Sequence, residues 1–452
     1  MHSRLFLSAI NQALGAGDGA VTETGAGALP SVFAVTDLAA ASIAAAGLAA
    51  SRLIGLAHGA TPPVSVDRRL ASIWFRGGLQ PQGWQEAPAW DPIAGDYPTR
   101  DGWIRLHTNA PHHRSAALSV LGVAADRADV ARTVAGWDTD ALEAAVVAAQ
   151  GAAAGMRSAA AWAEHPQGQA VAAEPLVAIE TTPLAPHPAW TVPRDRPLRG
   201  VRVLDLTRVL AGPVATRFLA GLGADVLRID PPTWDEPGVL PTVMLGKRSA
   251  SLDLQTSAGR DTLARLLAGA DVLVSGYRAD ALDRLGFGLA QRQALRPGLV
   301  DVALDAYGWT GPWRHRRGFD SLVQMSSGIA EAGMRRLGKD RPFPLPVQAL
   351  DHAAGYILAA AALTGIAHRL RTGLGWVARS SLARLAALLV AGPAGDPGST
   401  FPPESPEDFS PTIEQTSWGP ARRALPPVGI EGAALRWDLP ARTLGSDPPA
   451  WP

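Results

Sequence analysis

The chain reads as α/β: a doubly wound, Rossmann-like parallel sheet in its second half and a second, smaller α+β domain in its first. Three observations carry that expectation. From residue 200 to residue 305, short β-branched runs alternate with helical patterns, which is how βαβ units read in a sequence. Residues 181–197 (TTPLAPHPAWTVPRDRP) are Pro-rich without periodicity and predict a linker. The first half has Ala-rich helical stretches and isolated strand-like pieces but no βαβ start of its own.

Taken in order, the second half opens with GVRVLDLT as a buried strand. AGPVATRFLAGLGA follows as a helix with Pro213 near its first turn, and ADVLRID as a second strand. The alternation continues with SASLDLQ (strand), SAGRDTLARLLAGA (helix), DVLVSGY (strand) and LVDVALDAYG (strand), and a long apolar helix starts near Asp351. In the first half, DGWIRLHTNA is strand-like, and helices are expected over 138–150 and 152–164. The expected division is a 1–180 unit carrying the small α+β domain, the 181–197 linker, a 198–395 sheet domain, and a 396–452 tail packing back on the core.

Composition narrows the function. With 41 Lys+Arg against 41 Asp+Glu and no run of like charge, the chain lacks the electrostatic footprint of a nucleic-acid or anionic-membrane binder. Having no Cys, it can form no disulfide, zinc-thiolate site, iron-sulfur cluster or thiol nucleophile, which suits a reducing cytosol, and a cytoplasmic location is expected. The opening MHSRLFLSAINQAL has too short an apolar core for a secretory signal. Two Ala-rich stretches, 31–57 and 353–367, are the membrane candidates; Asp37 interrupts the first and the second is short, so both are expected to be buried helices.

The two halves also resemble each other. LPSVFAVTDLAAASIAAA from Leu29 matches LPVQALDHAAGYILAAA from Leu345, which sets Asp37 opposite Asp351. Further on, VSVDRRLASIWFRGG matches WVARSSLARLAALLVAG, with Leu70-Ala71 opposite Leu382-Ala383. An internal repeat is expected, its first copy keeping a small domain but lacking the start of the nucleotide fold.

Chemistry-bearing residues are few. The turn from Arg208 through Val209, Leu210 and Ala211 to Pro213 would present backbone N–H groups at a helix N-terminus, suited to a phosphate, or would be a plain strand-to-helix turn. No G-x-G-x-x-G and no G-K-[ST] accompanies it. Asp351 heads an apolar helix, as a helix-capping acid or as a nucleophilic carboxylate. His107, His112 and His113 match no zinc spacing and are expected to be surface or loop residues; no metal site is expected. Trp74, Trp84 and Trp90 are assigned to a core or an interface, and G-x-S-x-G and H-E-x-x-H are absent.

Four stretches are informative as an ordered set: GVRVLDLTRVLAGPVATRFLAGLGADVLRIDPP (200–232), GKRSASLDLQTSAGRDTLARLLAGADVLVSGYRADALDRLGFG (246–288), AYGWTGPWRHRRGFDSLVQMSSG (306–328) and ALDHAAGYILAAAALTGIAHRLRTG (349–373). Together they resemble the class III CoA-transferase family, which includes formyl-CoA and carnitine-CoA transferases and is related to α-methylacyl-CoA racemases. GDYPTRDGWIRLHTNAPHH (95–113) resembles the family's small domain more faintly.

The resemblance implies an enzyme that moves CoA between an acyl-CoA thioester and a carboxylic acid. Asp351 would form first an acyl anhydride and then an aspartyl-CoA thioester. CoA would be a substrate and not a resident cofactor, lying along Arg208, Val209, Leu210 and Ala211, near Leu252 and Gln255, beside Tyr277, Arg284 and Arg317. The related racemases carry a His where this chain has Phe319, which cannot transfer a proton, so the transferase is favoured; the alternatives are an acyl-CoA racemase or isomerase and a non-catalytic acyl-CoA-binding subunit. Family members run sheet first and small domain second and pair as interlocked protomers. The reversed order here implies a single chain that imitates such a pair, or else a homodimer, with one site at Asp351 and a remnant at Asp37.

Overall fold

The computed structural model describes residues 2–186 and 190–452. The first half begins with α1 (Ser3–Ala13), β1 (Val21–Thr24), α2 (Val35–His58), β2 (Val64–Asp67), α3 (Arg68–Phe75) and β3 (Leu79–Pro81). A small domain follows: β4 (Gly95–Pro98), β5 (Trp103–Leu106), α4 (Pro111–Leu121), α5 (Arg127–Val134), α6 (Thr139–Ala148) and β6 (Ala153–Gly155). Its three strands form an antiparallel sheet, and Tyr97, Ile104, Leu106, Val130, Leu142 and Val146 make a core of their own. The helix expected over 152–164 is instead β6 followed by α7 (Ala159–Glu164), because Ala153–Gly155 pair with β5 while Ala152 and Ala154 pack against Leu322 and Met325 of the second half. Helix α8 (Pro166–Ala173) leads to β7 (Ala178–Leu184). Residues 181–184 of the expected linker therefore belong to a strand, and residues 187–189 lie outside the described residues.

The second half contains β8 (Arg202–Leu206), α9 (Ala211–Gly221), β9 (Asp225–Asp230), α10 (Leu240–Val243), β10 (Arg248–Ser251), α11 (Ser257–Ala268), β11 (Val272–Ser275), α12 (Ala281–Arg284), α13 (Leu289–Leu295) and β12 (Val300–Asp305). Then come α14 (Asp320–Ser326), α15 (Ile329–Arg336), α16 (Ala349–Thr372), β13 (Leu374–Ser381) and α17 (Leu382–Ala391). The main sheet has seven strands in the order β10-β9-β8-β11-β12-β13-β7, all parallel except the edge strand β7. Alternation sorts its faces: Val203, Val226, Val272 and Val300 join the core under α9 and α16, while Leu204, Leu227 and Leu273 pack with α11. Strand order reverses between β8 and β11, and at such a switch point the loops diverge and open a crevice at the carboxyl ends. The tail contributes β14 (Phe409–Thr416), β15 (Gly419–Ala424) and β16 (Val428–Ile430); β14 pairs with β15, and β15 and β16 pair with β3 and β2 of the first half.

Two segments have nearly the same backbone. Helices α2 and α16 are both 24 residues long, and the residues before them, Ala34 (φ −75°, ψ 62°) and Gln348 (φ −74°, ψ 65°), adopt one conformation. In each, the first helical N–H returns to the carbonyl two residues back, at 2.8 Å. Each ends on a left-handed glycine, Gly59 or Gly373, and each is followed by a strand whose last residue caps the next helix, Asp67 or Ser381. One constant offset places Asp37 on Asp351, Gly59 on Gly373 and Asp67 on Ser381. That register corrects the expected one, since it sets Arg68-Arg69, not Leu70-Ala71, opposite Leu382-Ala383. The two helices pack on each other inside the fold and are long and apolar enough to cross a membrane by composition; Asp351 and His352 stand within the first turn of α16, which is longer than the expected 353–367.

The turn after β8 is anchored from below by a buried ion pair. Lys247 and Asp205 are fully enclosed with Nζ and Oδ2 3.0 Å apart. The ammonium also donates to Pro213 O (2.8 Å), while Asp205 accepts from Thr207 and Thr216. Burial opposes ionisation of Asp205, but the Lys247 and Arg228 charges outweigh it and hold its carboxyl low; burial pulls Lys247 down to about 8, still ionised at neutral pH. Lys247→Met would leave a buried carboxylate without its counter-charge, and a loss of about 3–5 kcal/mol is expected in urea unfolding. Adding Asp205→Asn should recover part of that loss.

Candidate functional site

The loop from β8 to α9 is held at both ends. Gly212 approaches Thr207 so closely that a Cβ there would lie 2.3 Å from the threonine Cβ, so only glycine fits. Val209 has φ +63°, a left-handed conformation that a β-branched side chain rarely adopts and that costs on the order of 1–3 kcal/mol. Its N–H is held by Glu236 Oε2 at 2.9 Å, and Glu236 is in turn paired with the buried Arg228, which also binds Asp230 (2.8 Å). Outside this clamp the Arg208 guanidinium lies over the rings of Trp234 (4.5 Å) and Tyr277 (5.0 Å).

Of these residues, Arg208, Val209, Gly212, Asp230, Trp234 and Tyr277 line a cavity of about 420 Å³ at the carboxyl ends of the sheet. Arg208, Val209, Leu210 and Ala211 come from the β8 loop, Leu252 and Gln255 from the turn after β10, and Tyr277 from the loop after β11. Arg317 and Phe319 come from the segment before α14, Asp351 from α16, and His112 and His113 from the small domain of the first half. The strand expected over SASLDLQ ends at Ser251, which frees 252–255 to turn into the cavity. Arg284 does not line it: its side chain is largely exposed and paired with Asp280.

Asp351 stands in the first turn of α16, 8% exposed. One turn later Gly355 lets α16 sit directly on α9, where a Cβ would lie 2.6 Å from Ala211 O. The Asp351 N–H donates to Asp320 Oδ2 (2.9 Å), and Gln324 Nε2 donates to the other Asp320 oxygen (2.5 Å) while its own oxygen accepts from Leu345 N (2.8 Å). Asp320 and Gln324 thus brace the chain entering α16. Burial, and then the nearby Asp320 carboxylate, push Asp351 well above the usual carboxylate range; burial raises Asp320 to about 6. At the matching position in α2, Asp37 instead binds Arg68 at 3.0 Å, and Arg68 also binds Glu23 at 2.6 Å.

The histidines correct the sequence expectation. His107, in the loop after β5, and His113, in α4, are buried and not at the surface, and their rings stand edge-on to Phe319 at centroid distances of 3.7 and 5.7 Å. Burial is the main reason both fall to about 3, so both are neutral. Pro111 in the first turn of α4 was the available signal that this segment turns into a helix, but its inward face depends on contact with the second half. Of the tryptophans, Trp74 is buried and stacks on Trp437 (5.4 Å), whereas Trp90 is 38% exposed.

The raised Asp320 carboxyl has a consequence for stability. The folded chain binds this proton more tightly than the unfolded chain, so the contribution is complete below pH about 4 and is lost as pH rises through about 6. The loss is on the order of 3 kcal/mol for a shift of that size. Asp320→Asn should flatten this part of the profile, read as the thermal midpoint across pH 4–7.

A profile of CoA-transferase family III matches residues 198–411. The chain is 33% identical over 193 residues to a Mycobacterium tuberculosis protein named "Probable fatty acyl-CoA transferase", covering 40% of this chain and 48% of that protein. It is 33% identical over 195 residues to the succinyl-CoA:glutarate CoA-transferase of Mus musculus, covering 40% and 44%. A crystal structure of a CAIB/BAIF family protein from Brucella suis aligns with 26% identity and a TM-score of 0.40, covering 50% of this chain and 65% of that one. The chain spans less than half the length of these two curated relatives. Residues 198–411, the part that matches the family profile, contain the switch-point loop, the 252–255 turn and the head of α16, and it is in that part that this chain is similar to CoA-transferase family III.

Proposed function

We infer that the chain is a cytoplasmic CoA-transferase in which Asp351 is the nucleophile. The observation that carries this reading is a largely buried carboxyl lining the same cavity as the strained β8 loop, Tyr277 and Arg317. An acyl-CoA would enter with its phosphates toward Arg208, Gln255 and Arg317 and its thioester toward Asp351. The ionised carboxylate attacks the thioester carbonyl, the C–S bond breaks, and CoA thiolate leaves an acyl-aspartyl anhydride. The thiolate then attacks the aspartyl carbonyl, releasing the first acid and leaving an aspartyl-CoA thioester. An acceptor carboxylate runs the two steps in reverse, so atoms and charge balance without a redox partner.

The first half has a defined part in this reading. Its small domain supplies His112 and His113 to the wall opposite the sheet, and Glu174 and Gln167 clasp the turn after β12, through Trp309 N (2.8 Å) and Tyr307 O (2.8 Å) respectively. The geometry shared by α2 and α16 supports a pseudo-dimeric single chain with one working position. The other, Asp37, is committed to Arg68.

Incubation of the purified chain with a panel of acyl-CoAs and free carboxylic acids, with new thioesters read by mass, tests the activity. Hydroxylamine trapping should place the acyl mark at Asp351. Asp351→Asn is expected to lower exchange by roughly a thousandfold or more, as removal of a nucleophile does, and Asp37→Asn to leave it within about twofold. Calorimetry should find one CoA per chain; two per chain would refute the single-site reading. Exchange of substrate α-protons with solvent, without transfer, would favour an isomerase, and affinity without either a binding subunit. Because the nucleophile must be ionised, kcat/KM should rise with pH, and Asp320→Asn should move that rise to lower pH by removing the like charge.

A further inference from the structure

One buried imidazole lining the cavity has no hydrogen-bond partner among the described residues. His113 is 4% exposed, it lines the cavity together with Asp351, and neither of its ring nitrogens has a hydrogen-bond partner among the described residues. A buried donor left unmade costs about 1–3 kcal/mol, and native structures accept that cost where a ligand supplies the missing acceptor. The ring is fixed by packing: it stands edge-on to Phe319, and His112 lies beside it at 4.1 Å. Phe319 directly precedes Asp320, the residue bonded to the Asp351 N–H, so the imidazole and the Asp351 backbone are each held against adjacent residues of one short segment of chain. A neutral imidazole brings one N–H donor and no charge, so it can bind a carbonyl oxygen without forming an ion pair with the Asp351 carboxylate.

Resting on the transferase reading, we propose that the His113 imidazole donates a hydrogen bond to the thioester carbonyl oxygen of the bound acyl-CoA and stabilises the oxyanion that forms there when Asp351 attacks. As the Asp351 oxygen bonds to the carbonyl carbon, the C=O π pair moves onto this oxygen, where the His113 N–H receives it. Collapse re-forms C=O and expels the CoA thiolate, and the His113 proton stays on its nitrogen throughout. The small domain of the first half would thus supply a catalytic residue to a site whose nucleophile lies in the second half.

The test uses the full chain and acetyl-CoA labelled with 13C at the carbonyl. In the wild type, the bound carbonyl stretch should move to lower frequency, and His113→Ala should abolish that shift. The same variant should lower kcat for CoA exchange by about 10²–10³-fold, the usual effect of losing one oxyanion donor, with KM and the affinity for free CoA within about twofold. His113→Gln, which keeps an N–H donor, should restore part of both the shift and kcat, whereas a purely structural role would give matching losses in the thermal midpoint of both variants. Exchange in the wild type that His113→Ala leaves within twofold, or an unchanged carbonyl frequency, overturns the proposal and spares the transferase reading. Absence of exchange in the wild type overturns both.

Discussion

The functional end of the molecule depends on a lysine and an aspartate shut away from water. Lys247 and Asp205 meet beneath the loop between β8 and α9, and through Thr207, Thr216 and the Pro213 carbonyl they fix the path of that loop. A buried pair of this kind adds little net stability compared with well-packed apolar residues. Its effect is geometric. With the loop clamped at one end here and at the other by Glu236 and Arg228, Val209 is held in a conformation it would not choose, and the cavity wall has a defined shape before any ligand arrives.

The same restriction reaches Asp351 by packing. Helix α9 is buried along its whole length between the sheet and α16, and Gly355 allows the two helices to meet backbone to side chain. The clamp under the loop and the brace formed by Asp320 and Gln324 therefore act on opposite sides of one carboxyl group. Burial and the adjacent Asp320 charge keep that carboxyl harder to ionise than one in water. In the proposed reaction a poorly solvated carboxylate would be the more reactive nucleophile once formed, with the desolvation supplied by the fold.

The pairing of α2 with α16 explains how a chain with the sheet in its second half can close a site. The equivalent helices stack at the centre, the first half carries its small domain across to the cavity of the second, and β7 and the tail strands return the chain so that each half completes a sheet of the other. The two acidic positions differ in their surroundings. Asp37 has a guanidinium at 3.0 Å, whereas Asp351 has a second carboxylate and a cavity.

The parallel sheet was legible in the sequence because β-branched runs and helical periods alternate through 200–305, and each such unit is specified by local pattern. The turn at Arg208–Ala211 and the head of the long helix could be located for the same reason. What sequence reasoning missed came from contacts between distant segments. Ala153 and Ala154 read as helix because alanine favours it, yet with Gly155 they form a buried strand. His107 and His113 read as surface residues because nothing near them in the chain is apolar enough to bury them, and the second half encloses them. Arg284 reads as a phosphate ligand, yet its neighbour Asp280 holds it outside the cavity. Local pattern determined which elements form and where the nucleophile candidate stands; only the tertiary structure decided which side chains lose their water, because burial and pairing depend on residues hundreds of positions away.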